Sequence, residues 1–572
     1  MKSFSAVIFA MSYFTFLTAF ACPPENKAQE ITDNNTENSN PNQYKTGSEA
    51  KISQKPLREI HFKKDSRTRV LVLGGGYSAS GNQISLENNV KYFRKIRSEL
   101  NLENASEQTY FADGNETGRD IQFFDPNYKV PLINKVLAEL FGNSKTIYHQ
   151  YRSNLLNPDG PSSLKLLDQW FEKRKLITEP SNNLIYFTGH GGKGETKKPY
   201  NTSAYLWSNA KLKVSEFVKK LDTIPENDPT FLVMVQCYSG GFANVIFKDG
   251  DPNKSFSNHS RAGFFSTLQS RVAAGCTPDI REENYQEYST SFWEALSGLS
   301  RIGKPVVKPD YNQDGSTSLM EAHSYVSIHS ETIDVPIKTS DVLLRKYLTI
   351  NPSPIEKSEK GKSIFQKYIP KIFSLDNNST KSKKLIEEST IEEFEEFAQS
   401  EEKAVFIALL KKLEIKNKYP LKEIKELSQK LKKQKGLVEK DKKKHLELKN
   451  KHRDTLRKRL KNKYPELVNP YHPIVTNLFQ PPEKQKILAM INQDDLWKKL
   501  LNEKNNIQKF ESQKFLIEKK EAKVLRVKRC LENIFLTKKL MQEGTDTEKE
   551  NFRKLQKLER TIPEENWGIH LN

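Results

Sequence analysis

Through the first half of the chain, apolar runs of strand length alternate with amphipathic stretches of helix length. RVLVLGGG (69–76) is a short aliphatic run that ends in glycine, and SLENNVKYFRKIRSEL (85–100) follows with apolar residues at helical spacing. QTYFADG (108–114), SNNLIYFTGHGG (181–192) and TFLVMVQC (230–237) read as further strands, and RVAAGC (271–276) reads as another. Between the third and fourth, LKVSEFVKKLD (212–222) sets Val214, Phe217, Val218 and Leu221 on one helical face. The alternation predicts an α/β fold over 61–345, a mostly parallel sheet with helices on its faces. In such sheets the working site lies beyond the carboxyl ends of the strands.

The pattern changes after about residue 345. NPSPIEKSEKGKS falls in a linker over 346–384, and from 385 to 572 Lys, Glu and Leu dominate. That composition predicts an all-α basic region, broken into hairpins by the proline-rich stretch YPELVNPYHPIVTNLFQPPEK (464–484). At the other end, Lys2 precedes FSAVIFAMSYFTFLTAFA and then Cys22. Ala19 and Ala21 fit a cleavage site, so 1–21 reads as a secretory signal. Cys22 after Ala21 equally fits a loose lipoprotein box, with lipidation at Cys22 and the usual leucine three places earlier replaced by Ala19. The polar, Asn-rich stretch 22–60 cannot bury a core and reads as a disordered linker. The expectation is an exported protein, in the periplasm, on the outer membrane as a lipoprotein, or secreted.

The net charge is +20, from 92 Lys and Arg against 72 Asp and Glu. Most of it sits in residues 411–465, where 22 basic residues face 7 acidic ones. Its central run KLKKQKGLVEKDKKKHLELKNKHRDTLRKRLKNK lacks interleaved aromatics and base-reading motifs, which argues against nucleic acid. A solvated helical face is the plain reading. The partners that fit the charge are an anionic surface or the chain's own α/β domain, with membrane contact only through a lipid anchor. The four cysteines, Cys22, Cys237, Cys276 and Cys530, show no paired spacing, which disfavours a disulfide framework or a zinc site.

His190 and Cys237 each end an apolar run, with glycine directly after His190 and three places after Cys237. A thiol becomes a strong nucleophile when an imidazole takes its proton, so the pair forms a candidate nucleophile and base. Gly191 and Gly240 allow sharp turns and close approach, and the amides of Gly191 and Cys237 are candidate oxyanion donors. GGGYSA (74–79) fits a dinucleotide fingerprint formally, but its acidic partner Asp113 lies too far along the chain.

FTGHGG (187–192) and VQCYSGG (235–241) resemble the His-Gly and Cys-x-Ser-Gly blocks of clan CD cysteine peptidases, the legumain, caspase, metacaspase and gingipain group. LVLGGGYSASGNQISLENNVKYF and AAGCTPDIREENYQEYSTSFWEAL also look like blocks of bacterial legumain-like (C13-like) members. The resemblance covers about 65–345. It implies a caspase–hemoglobinase fold, protein or peptide substrates, His190 as general base and Cys237 as nucleophile. The legumain asparagine in the first loop implies that Asn82 orients His190. A helical C-terminal region covers the active site in legumains; only helical character and position match here. Legumains and metacaspases carry an acidic residue two places before the cysteine, where this chain has Val235, so the family's specificity does not carry over.

DYNQDGSTSLME (310–321) places Asp310, Asn312, Asp314, Ser316, Ser318 and Glu321 at the oxygen-ligand positions of an EF-hand-type loop, with Gly315 at the sharp turn. Calcium is the expected ligand, against the alternative of a polar surface turn. Cys276 is expected to be a small buried hydrophobe. Two further readings stand beside the peptidase: an inactive envelope-anchored scaffold, and a nucleic-acid-binding protein resting on charge alone.

Overall fold

The computed structural model describes residues 60, 62, 66–349, 388–469 and 475–568. The expected signal segment, Cys22, the expected linker up to residue 59 and the expected second linker from 350 lie outside the described residues. A six-stranded sheet organises the first half: β1 (Thr68–Gly75), β2 (Ser106–Phe111), β3 (Asn182–Gly189), β4 (Thr230–Met234), β5 (Arg261–Phe265) and β6 (Ile337–Lys338). Its order is β2-β1-β3-β4-β5-β6, and all pairings are parallel except that of β5 with β6. Every residue of β1, β3, β4 and β5 is buried, as expected of parallel strands covered on both faces.

The chain adds β2 on one side of β1 and then returns to lay β3 on the other. That reversal puts the switch point of the sheet between β1 and β3, and sheets of this kind take ligands beyond the strand ends at such a point. Among the described residues the helices of this half are α1 (Ile84–Lys95), α2 (Leu132–Phe141), α3 (Leu164–Lys175), α4 (Val214–Leu221), α5 (Tyr288–Ser297), α6 (Leu319–His329) and α7 (Thr339–Thr349). On one face of the sheet Tyr186 packs against Phe93 of α1 and Trp293 of α5. On the other, Trp170 packs on Phe171 within α3, Phe171 meets Phe217 of α4, and Phe217 meets Phe242.

The C-terminal region is helical, as its composition predicts: α8 (Ile391–Phe397), α9 (Ser400–Leu413), α10 (Pro420–Lys463), α11 (Val475–Leu478), α12 (Glu483–Gln493), α13 (Asp495–Glu543) and α14 (Asp546–Glu559). The long helices α10 and α13 run antiparallel, since Lys435 pairs with Glu518, Lys442 with Glu511 and Arg459 with Asp494. Leu536 and Leu540 of α13, Phe552, Leu555 and Leu558 of α14, and Trp567 are buried in the same apolar core as the sheet. Glu559 accepts from Thr339 Oγ1 and from Ser340 N and Oγ, so α14 caps the first turn of α7. No helix among the described residues is long and apolar enough to cross a membrane.

One expected strand is absent. RVAAGC forms no strand; the fifth strand is RAGFF, ten residues earlier. Gly275 (φ +118°) and Cys276 (φ +52°) leave the extended region, and the amides of Ala273 and Ala274 bond to side chains instead of a ladder. Cys276 is only half-buried, with Sγ 3.9 Å from Gly189 O.

Candidate active site

The parallel register brings the two reactive residues together. Phe187 of β3 stands opposite Met234 of β4 as their last paired rung, and Val235 N still donates to Phe187 O at 3.0 Å. His190 and Cys237 each follow three residues later. The backbones cross in contact there: a Cβ on Gly191 would stand 2.2 Å from Cys237 O and 2.6 Å from Gln236 Cγ. Only glycine fits at that crossing. The glycines next to the two residues serve close approach rather than unusual φ. The left-handed turn after Cys237 falls on Tyr238 (φ 60°), and a Cβ on Gly240 would stand 2.6 Å from Thr267 O.

The loop after β1 holds the imidazole. His190 Nε2 lies 2.7 Å from Gly81 O and 3.0 Å from Gln83 Oε1. Gln83 Nε2 donates to Ser80 O, which fixes its oxygen toward the ring. Two acceptors at Nε2 call for an N–H there, which in the neutral ring leaves the lone pair on Nδ1. Tyr77 packs edge-on against the ring at 5.2 Å between centroids and also meets Tyr205.

Asn82 serves the loop. Its Oδ1 accepts Gly76 N at 2.9 Å, and its Nδ2 donates to Asp120 Oδ2 at 2.8 Å. The ring contacts come from its two neighbours, Gly81 and Gln83. Burial pushes Asp120 up to about 6; burial and the nearby Asp120 push Asp113 up to about 7.

Cys237 is 2% exposed, and its Sγ accepts Ala273 N at 3.4 Å. Tyr238 N donates to Arg271 O at 2.8 Å, so segment 271–277 wraps the cysteine and reaches Gly189 through Cys276. Thr188, two residues before His190, accepts from Asn89 Nδ2 of α1 at 2.8 Å. Val235 is buried and apolar where an acidic pocket residue stands in legumains. Gly81, Gln83 and Ala273 escaped sequence reasoning. Two act through backbone atoms, and Gln83 carries no signal beyond its place in the first loop.

The EF-hand-type loop lies apart from this site. Glu321 is fully buried: Oε1 accepts Tyr311 N and Asn312 N, and Oε2 accepts Ser318 N and Oγ in a capping box that starts α6. Asp310 accepts Asp314 N and Gly315 N, Asn312 Oδ1 accepts Asp314 N, and Asp314 accepts Ser316 N. Among the described residues no group of three His, Cys, Asp or Glu side chains is placed to hold a metal ion.

No protein-family model and no curated protein matches this chain. Solved structures it matches include the Drosophila initiator caspase Dronc, at TM-score 0.22 and 9% identity, over 42% of this chain and 68% of that one. A likeness that distant carries no argument about chemistry, which rests on this chain's own geometry.

Proposed function

We propose that the chain is a cysteine endopeptidase in which Cys237 is the nucleophile and His190 the general base. The observation that supports this most is the crossing at Gly191, which sets the backbone after His190 directly against Cys237. The reading of the reaction follows from the tautomer. His190 Nδ1 takes the thiol proton, and the thiolate attacks the peptide carbonyl. The imidazolium then protonates the leaving amine, and water hydrolyses the thioester to return the free thiol. The region beyond the ends of β1 and β3 is where an α/β sheet of this order accepts a ligand. We include in the proposal export through the segment before residue 22, calcium at 310–321, and an anionic partner for α10.

A second reading, a binding scaffold with an inactive peptidase-like domain, is favoured by the near-complete burial of Cys237 under segment 271–277. The two readings separate in one experiment. An epoxide or acyloxymethyl-ketone peptide probe is expected to label Cys237 in the full chain. Cys237→Ala and His190→Ala are each expected to abolish peptide hydrolysis while leaving the melting temperature within a few degrees. Full activity in either variant sinks the peptidase reading.

A further inference from the structure

We infer that Arg526 of α13 is a positioning residue for Cys237, so that the helical C-terminal region forms part of the catalytic apparatus. Arg526 is almost fully buried, and its guanidinium is spent on one short segment of the α/β half. Nε donates to Asp334 O at 2.8 Å, Nη1 to Ser330 O at 2.6 Å, and Nη2 to Thr332 O at 3.1 Å and Ser330 Oγ at 3.3 Å. A planar fork with five N–H groups can clamp several carbonyls at once, which a lysine cannot do.

The clamped segment holds the loop around the nucleophile. Asp334 Oδ1 accepts Ala274 N at 2.7 Å, and Arg271 Nη2 donates to Ile333 O at 3.4 Å. The neighbouring Ala273 N donates to Cys237 Sγ, and Arg271 O accepts Tyr238 N. The chain of contacts therefore runs from Arg526 through Asp334 to Ala274 and Ala273, and so to the sulfur. Every link is buried, where an unmade hydrogen bond is expensive. A donor aimed at the sulfur stabilises a thiolate more than a thiol, so the placement of Ala273 bears on the reactivity of Cys237.

The kinetic arm rests on the peptidase reading, whereas the exchange arm does not. The test uses the full chain as wild type, Arg526→Gln, Arg526→Lys and Trp567→Phe. Trp567 is a control in the same C-terminal region: it donates to Leu100 O, and its ring meets Phe231 of β4. In Arg526→Gln, amide exchange in peptides covering 271–277 is expected to speed up at least tenfold. Iodoacetamide labelling of Cys237, read by peptide mass, is expected to change by a similar factor. In an active enzyme kcat falls at least tenfold with KM held within twofold. Arg526→Lys is expected to lie between, and Trp567→Phe to match wild type in segment 271–277. If Arg526→Gln does not fold, Arg526→Lys carries the same measurements. Unchanged exchange and labelling in a folded Arg526 variant overturn the inference. Absence of hydrolysis in the wild type counts against the peptidase reading alone, because exchange and labelling still decide the role of Arg526.

Discussion

The oxygens that fix the His190 tautomer belong to Gly81 and Gln83, and the loop carrying them is stapled by Asn82 to Asp120. Asp120 in turn lies beside Asp113, and both are nearly fully buried with one carboxyl oxygen each lacking a partner. Burial raises both groups above their ordinary 3.8, Asp120 to about 6 and Asp113, which the Asp120 charge pushes further, to about 7. A carboxyl with a raised folded-state pKa holds its proton more tightly in the fold than in the open chain. Its stabilising contribution is complete below about pH 4 and is lost as pH rises through about 6 to 7. Other buried acids, such as Asp334, shift the same way, so the pair shows only by difference. Asp113→Asn removes one titrating group and keeps the shape. Between pH 5 and 8 the melting temperature of wild type is expected to fall more steeply than that of the variant. Parallel curves would remove the pair from the account.

At the scale of elements, the strands were legible because a fully buried parallel strand is a short unbroken apolar run bounded by turn residues. β1 falls within one residue of the run that predicted it, and β3 and β4 start within one residue of theirs and end three residues earlier. The reactive pair was legible for the same reason, since each residue closes such a run. Segment 271–276 was not: its composition suits a strand, but its amides are taken by Cys237 and Asp334, partners that local periodicity does not register. β6, two residues long, gives no periodicity at all. The EF-hand-type loop was legible as a spacing, and its structure changes how calcium is to be tested. Glu321 accepts three N–H groups and a hydroxyl, so Glu321→Gln would turn a donor toward donors and disrupt the loop with no metal involved. Asp310 and Asp314 are exposed and suit the test better. Millimolar calcium is expected to raise the melting temperature of wild type, as binding at about 10⁻⁴–10⁻³ M implies. Asp314→Asn is expected to lose that rise while matching wild type in chelator. No rise in wild type leaves the loop a polar turn that caps α6.

For the molecule as a whole, the basic region cannot be judged by cutting it off. A chain ended near residue 350 would lose Leu536, Leu540, Phe552, Leu555, Leu558 and Trp567 from the sheet's own core. Each buried side chain of that kind is worth about 1.5–3 kcal/mol, and a whole domain is stable by only about 5–15 kcal/mol. It would also leave Lys338 buried without Glu559 and strip the Arg526 clamp from segment 330–334. Lost activity in such a chain would report unfolding, and gained activity through release of a cover is not what this core supports. The charge can be removed without touching the core, because Lys432, Lys433, Lys440, Lys443 and Lys444 of α10 are all exposed. Exposed charges contribute little to stability, so exchanging all five for glutamine is expected to leave the melting temperature and peptide hydrolysis unchanged. If α10 docks on an anionic surface, the wild type binds vesicles containing anionic lipid and not neutral ones. That binding weakens as the screening length shrinks from about 30 Å at 0.01 M salt to about 8 Å at 0.15 M. The five-glutamine variant is expected to lose it at low salt as well. Equal binding by wild type and variant would mean that the lysines only keep a long hairpin in solution.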